Sequence, residues 1–228
     1  MSAALKLAVF DLDGTLVDSL GHIVGAMAQA FTAEGLSVPA TAAVRSIVGM
    51  SLESAINALD PQLSSAQVAQ VTASFKDAYH HQITAAEGIE PLITGARECL
   101  LALDAAGVLL GIATGKGRRG LIHVLEAHGL RDLFVTLQSA NDAPGKPNPT
   151  MLLQALDGAG VTAAQSVMIG DTSFDLQMAR NANVPAIGVT WGYHDRGQLW
   201  QCEPSAVIDQ FQQLPATVQR VITGSYSR

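Results

Sequence analysis

Lys6-Leu7-Ala8-Val9-Phe10-Asp11-Leu12-Asp13-Gly14-Thr15-Leu16 is a short apolar run that ends in two carboxylates two residues apart, followed by glycine and threonine. Along an extended chain, residues two apart fall on the same face. Asp11 and Asp13 therefore address one space while Leu12 turns the other way. Glycine at position 14 gives the backbone freedom where the chain has to turn. Crowded carboxylates repel, and such a pair persists most readily where a cation or an incoming electrophile needs it. The segment reads as a buried strand carrying acids to its own carboxyl end. Taken alone it also fits a turn with two solvated acids, so the rest of the chain has to decide.

At 228 residues the chain has room for a sizeable core and one smaller domain. Hydrophobic residues make up 48% and charged ones 14%, which is the balance of a globular chain rather than a disordered one. A net charge of -7 argues against a general nucleic-acid or membrane-surface binder, since either needs a basic field. No uninterrupted apolar stretch approaches the roughly 20 residues that span a bilayer. The N-terminus has no basic region followed by an apolar signal core, so a cytoplasmic protein is expected. Cys99 and Cys202 stand far apart, without the spacing of a zinc or redox pair. Cys99 reads as helix packing and Cys202 is left unassigned. No histidines show metal-binding spacing, and no serine lies in a Gly-x-Ser-x-Gly context.

The architecture changes along the chain. From about Ser19 to Ala86 the pattern is helical. Ile23, Val24, Met27 and Phe31 recur at helical spacing before Gly35, and Val68, Val71, Phe75 and Tyr79 do so after Ser64 and Ser65, either of which can cap. Between these stripes, Val44 to Leu52 reads as two short helices meeting at a bend. After a helix near Thr94 to Ala106, short apolar runs alternate with helical segments. Strands are predicted at Leu109–Ala113, Phe134–Leu137, Ser166–Ile169 and Ala186–Val189, and helices at Arg118–His128, Thr150–Gly158 and Phe174–Asn181. Such alternation predicts a doubly wound parallel sheet covered on both faces, with ligands bound beyond the carboxyl ends of the strands. The tail from Gly224 reads as mobile.

Chemistry-bearing residues sit at those ends. Thr114 closes the run Val108 to Ala113, offering a hydroxyl, and Gly115 an accessible N–H, suited to a phosphate oxygen. Lys146 lies in Gly145-Lys146-Pro147-Asn148-Pro149, a segment too rich in proline for mid-helix, so a rigid turn sets its direction. Gly170-Asp171-Thr172-Ser173-Phe174-Asp175 follows Val167-Met168-Ile169. Asp175 also fits an ordinary acid at a helix N-terminus. Lys116, Arg118 and Arg119 read as a solvated helix face.

These four stretches, in this order, resemble the motifs of the haloacid-dehalogenase-like phosphohydrolase superfamily. The resemblance extends over nearly the whole chain, and Gly188-Val189-Thr190-Trp191-Gly192-Tyr193 is similar to its phosphoglycolate-phosphatase-like branch. It implies a Rossmann-like core formed by residues 1–18 and 87–228, with an inserted all-helical cap at 19–86. It also implies magnesium-dependent hydrolysis of a small soluble phosphomonoester through an aspartyl-phosphate, with neither nucleic acid nor membrane as partner. Asp11 would be the nucleophile and Asp13 the acid and then the base. Lys146 would balance phosphate charge. The metal would sit against the Asp11 carboxylate, the Asp13 backbone carbonyl and Asp171, with Asp175 bound to a ligating water or holding Lys146. Arg45 and Gly49 match a cap loop that this branch points at the active site, so Arg45 is a candidate for a substrate carboxylate. Trp191 and Tyr193 are second-tier candidates for the rim.

Rival chemistries have weaker marks. A haloacid dehalogenase has no use for a second acid at Asp13. A phosphosugar mutase typically carries a cap histidine where this chain has Ile23, with His22 one residue off. Phosphonate hydrolysis would want a cap lysine, and Lys76 is the sole lysine of that region. A pyrophosphatase would satisfy the same core. A noncatalytic phosphate-binding module should have lost one of the acids, and all are present. Oligomeric state is not legible.

Overall fold

The computed structural model describes residues 5–84 and 88–224. Its centre is β1 (Lys6–Phe10), whose Leu7 to Phe10 are fully buried, as expected of a parallel strand covered on both faces. Side-chain alternation divides them: Ala8 and Phe10 enter one hydrophobic cluster and Leu7 and Val9 the other. Loss of the Phe10 ring (Phe10→Ala) would cost about 3–5 kcal/mol.

The remaining strands are β2 (Val108–Ala113), β3 (Phe134–Gln138), β4 (Ser166–Gly170), β5 (Ala186–Val189) and β6 (Ala206–Ile208). All pair in parallel in the order β3-β2-β1-β4-β5-β6. The chain thus winds outward from β1 in one direction to β3, then restarts on the other side at β4. The crevice for a ligand lies at this switch point, beyond the carboxyl ends of β1 and β4. The predicted strands all form. The pattern did not predict β6, which has only three residues, or α9 (Arg196–Trp200) and α10 (Leu214–Ile222).

Residues 20–84 are helical: α1 (Leu20–Ala33), α2 (Thr41–Ile47), α3 (Leu52–Leu59) and α4 (Ser65–Thr84). They enclose their own core of Met27, Ala30, Phe31, Val44, Ile56 and Val71. Of the two capping candidates, Ser64 caps α4: its Oγ accepts the Gln67 N–H at 3.3 Å, and Gln67 Oε1 accepts the Ser64 N–H at 3.0 Å. The chain leaves the sheet and returns to it side by side. Asp18 donates its N–H to the Pro91 carbonyl, Ile93 donates to that of Leu16, both at 2.9 Å, and Val17 bridges Leu92. The expected boundary at 86/87 and the tail beyond Gly224 lie outside the described residues.

Beyond this insert come α5 (Ala96–Ala105), α6 (Arg118–Ala127), α7 (Thr150–Ala159) and α8 (Ser173–Asn181). Cys99 is buried on α5, as read. No helix among the described residues is long and apolar enough to cross a membrane.

Candidate active site

Asp11 directly follows β1 and keeps a ladder bond, its N–H donating to the Ile169 carbonyl of β4 at 2.9 Å. Asp171 directly follows β4. Neighbouring parallel strands ending at one level set these carboxylates side by side, both buried. Asp175 joins them from the first turn of α8 through a capping box: its Oδ2 accepts the Thr172 N–H at 3.1 Å and hydroxyl at 2.6 Å, and the Thr172 hydroxyl accepts the Asp175 N–H. Among the described residues, Asp11, Asp171 and Asp175 bring carboxylate oxygens within 4.8 Å of one another.

Lys146 fills the gap between two of them. Its Nζ lies 2.7 Å from Asp11 Oδ1 and 2.5 Å from Asp175 Oδ1, with the lysine itself buried. Burial opposes its charge, but the two carboxylates outweigh burial and hold its pKa above the ordinary value. Asp11 is pushed up to about 7, first by burial; one ammonium shared with Asp175 offsets only part of that. Asp171 is raised well above the usual carboxylate range by burial and by the charges of Asp175 and Asp11. Its oxygens are aimed by the Thr15 hydroxyl at 2.7 Å and the Tyr193 N–H at 2.8 Å. A Cβ at Gly14 (φ +84°) or at Gly192 would collide with the Asp171 carboxylate, so only glycine permits this approach.

Three buried carboxylates against one ammonium leave negative charge in excess, with oxygen as the only donor. That set fits a hard divalent cation such as magnesium. Asp175 has both oxygens engaged by Lys146 and Thr172, which suits it to holding Lys146.

The Asp13 side chain turns elsewhere. Lys116 Nζ lies 2.9 Å from Asp13 Oδ1 and 3.1 Å from Oε2 of the fully buried Glu90. Tyr79 of α4 donates its hydroxyl to Glu90 and accepts from Lys116. Asp13 and Glu90 hold the Lys116 pKa up against burial. Burial raises that of Glu90. The expectation of a solvated Lys116 is overturned: it precedes α6 in a turn where its N–H donates to the Thr114 hydroxyl at 3.1 Å, and its ammonium is buried between the two carboxylates. Arg119 is exposed and Arg118 half-buried, pairing with Asp142 at 2.8 Å. Neither Lys116 nor Glu90, which stands between Ile89 and Pro91, carries a local signal for this pairing.

Asp11, Asp13, Thr114 and Gly115 line a cavity of about 490 Å³ closed on its far side by α1, α3, α4 and the α2–α3 turn. That turn rests on the core: a Cβ on Gly115 would lie 3.3 Å from the Met50 carbonyl oxygen. Arg45 is not among the lining residues. Its guanidinium donates to the Tyr193 carbonyl at 3.1 Å and the Gly192 carbonyl at 2.8 Å, so the expected grip on a substrate carboxylate is replaced here by one on a core loop. The same loop is built in by Trp191, whose indole N–H donates to the Thr15 carbonyl at 3.1 Å and whose ring meets Phe211 at 4.3 Å. The Tyr193 hydroxyl meets that of Ser19 at 3.0 Å. Trp191 and Tyr193 thus support the acids.

The sequence profile of the haloacid dehalogenase-like hydrolases matches residues 8–189. A probable phosphatase, IndB, from Dickeya dadantii is 35% identical over 97% of this chain and 96% of its own. A phosphoglycolate phosphatase from Vibrio vulnificus is 32% identical over 92% of this chain and 94% of its own. Among solved structures, a hydrolase from Pseudomonas syringae superposes with a TM-score of 0.83 at 26% identity, covering 95% of this chain and 99% of that one.

Proposed function

Because the chain belongs to the haloacid dehalogenase-like hydrolase family and is a phosphatase, we propose that it hydrolyses small phosphomonoesters in two steps through an aspartyl-phosphate on Asp11. The observation that carries this is the position of Lys146, buried between Asp11 and Asp175 at 2.7 and 2.5 Å. A fixed ammonium there neutralises charge on a phosphoryl group presented to Asp11.

The residues divide the work. Asp11 attacks phosphorus in line while the bond to the alcohol oxygen breaks, and Asp13 gives that oxygen its proton. Asp13, now a base, takes a proton from water; the water attacks phosphorus, and the bond to Asp11 breaks to release phosphate. Thr114 through its hydroxyl and Gly115 through its N–H hold the equatorial oxygens. Magnesium would be held by the Asp11 and Asp171 carboxylates and the Asp13 backbone carbonyl, and supplies positive charge to the phosphoryl oxygens when bound. Residues 19–86 act as a cap on the core of 1–18 and 87–228, shutting water out while the cavity is occupied.

The test is phosphate release from a panel of small phosphomonoesters, phosphoglycolate among them, with magnesium present and with it chelated. Magnesium-dependent release supports the reading. Folded protein with magnesium that releases phosphate from none of them refutes it.

A further inference from the structure

Asp11, Asp13 and Lys116 line the core end of the 490 Å³ cavity, while the exposed Glu53, Lys76 and Asp77 and the half-buried His80 reach it from the cap helices. The cap end is walled by Ile23 and Met27 of α1, Ile47 and Leu52 flanking the α2–α3 turn, and Phe75 and Ile83 of α4. Ile23, Ile47, Leu52 and Phe75 pack against the cap core and are only partly buried there. The surface they leave uncovered faces the cavity. Phe75 and Tyr79, four residues apart on one helix face, stack with ring centroids 5.7 Å apart and planes 16° apart. Both line the cavity. The Tyr79 ring is further held by its hydroxyl, which is tied to Glu90 and Lys116.

The buried and half-buried cations near this lobe, Lys116 and Arg118, are engaged elsewhere. Lys116 is shared by Asp13 and Glu90, Arg118 pairs with Asp142, and Arg45 grips two backbone carbonyls away from the cavity. Lys76 and Arg119 line the cavity but are exposed, so solvent screens their charge. A two-carbon acid esterified to phosphate would fill little of the volume and would set its carboxylate against apolar side chains, which is costly without a partner. Volumes of roughly 300–1,000 Å³ with mostly apolar walls take ligands of drug-like size.

We propose that the substrate is a phosphomonoester whose alcohol carries an apolar, ring-sized body, seated against Phe75 and the Tyr79 ring while the phosphate meets Asp11. This rests on the phosphomonoesterase reading and names its substrate class.

The experiment measures kcat and KM of the full chain with magnesium on benzyl phosphate, ethyl phosphate and phosphoglycolate. Benzyl and ethyl alcohols are leaving groups of similar acidity, so their comparison reports on the lobe. Benzyl phosphate is expected to exceed both others in kcat/KM by about tenfold or more. Phosphoglycolate equal to or better than benzyl phosphate, or benzyl no better than ethyl, overturns the proposal while leaving the phosphatase reading intact. Release from none of the three overturns both. Phe75→Leu, which keeps most of the bulk, is expected to lower the benzyl-to-ethyl ratio about fivefold through KM. Ala55→Leu, which fills the lobe from α3, is expected to lower it similarly. A ratio unchanged in both variants overturns the placement.

Discussion

The ammonium of Lys116 sits 2.9 Å from Oδ1 of Asp13, and it is held there from the far side by Glu90. The residue assigned the proton transfers is thus oriented by a charge that a carboxylate beyond the cavity keeps in place. Tyr79, on α4, completes the contact from the cap.

Lys116→Met keeps the stem and removes the charge, leaving the buried Glu90 without its cation and with only the Tyr79 hydroxyl, among the described residues, donating to its side chain. Chemical denaturation should show a loss of about 3 kcal/mol. Adding Glu90→Gln should recover part of it, because the stranded charge is then gone. Strictly additive losses would show that the two are not coupled.

Asp11→Asn should lower kcat by about four orders of magnitude or more while the far-ultraviolet circular dichroism stays unchanged. The amide is nearly isosteric but a poor nucleophile. Rapid acid quench of the parent chain with labelled substrate should trap label on the protein, and the variant should trap none. Retained turnover would remove Asp11 from its role.

Asp175→Asn and Asp171→Ala should separate in a magnesium titration. Asp175 holds Lys146 at 2.5 Å, so its amide should lower kcat about a hundredfold with a small shift in the magnesium midpoint. Asp171→Ala should move the midpoint strongly and lower activity with it. If Asp175→Asn gives the larger midpoint shift, Asp175 is itself a ligand.

The pKa of Asp11 predicts how stability without divalent cations varies with pH. In the unfolded chain its carboxyl loses the proton near 3.8, whereas burial keeps it protonated in the fold up to about 7. Over that window the folded state binds more protons, so this contribution to stability is full below about pH 4 and lost as pH rises through about 7. Asp11→Asn does not titrate. The stability of Asp11→Asn relative to the parent should therefore increase over this window, by an amount of the order of a few kcal/mol. Magnesium should stabilise the parent more at about pH 8 than at about pH 5. A pH-independent gap between variant and parent would contradict the direction given for Asp11.

Local pattern alone determined much of this protein. The apolar run at Lys6–Phe10, the glycine after the acids and the proline-bounded Lys146 are short-range signals, because strand burial and backbone restriction act over a few residues. They located the parallel sheet, the helical insert and the residues that converge at the mouths of β1 and β4. Tertiary structure decided what depends on side chains meeting across long separations. Lys116 looked like part of a solvated run until Asp13 and Glu90 closed on it from distant stretches of chain. Arg45 had the composition of a substrate ligand, yet it is engaged by carbonyls 147 and 148 residues away. Tyr79 and Phe75 were legible as a helix stripe, but only the meeting of α4 with Glu90 and Lys116 placed their rings along the cavity. Charge pairing and cavity shape depend on which surfaces the folded chain brings together, and no local period in the sequence carries that information.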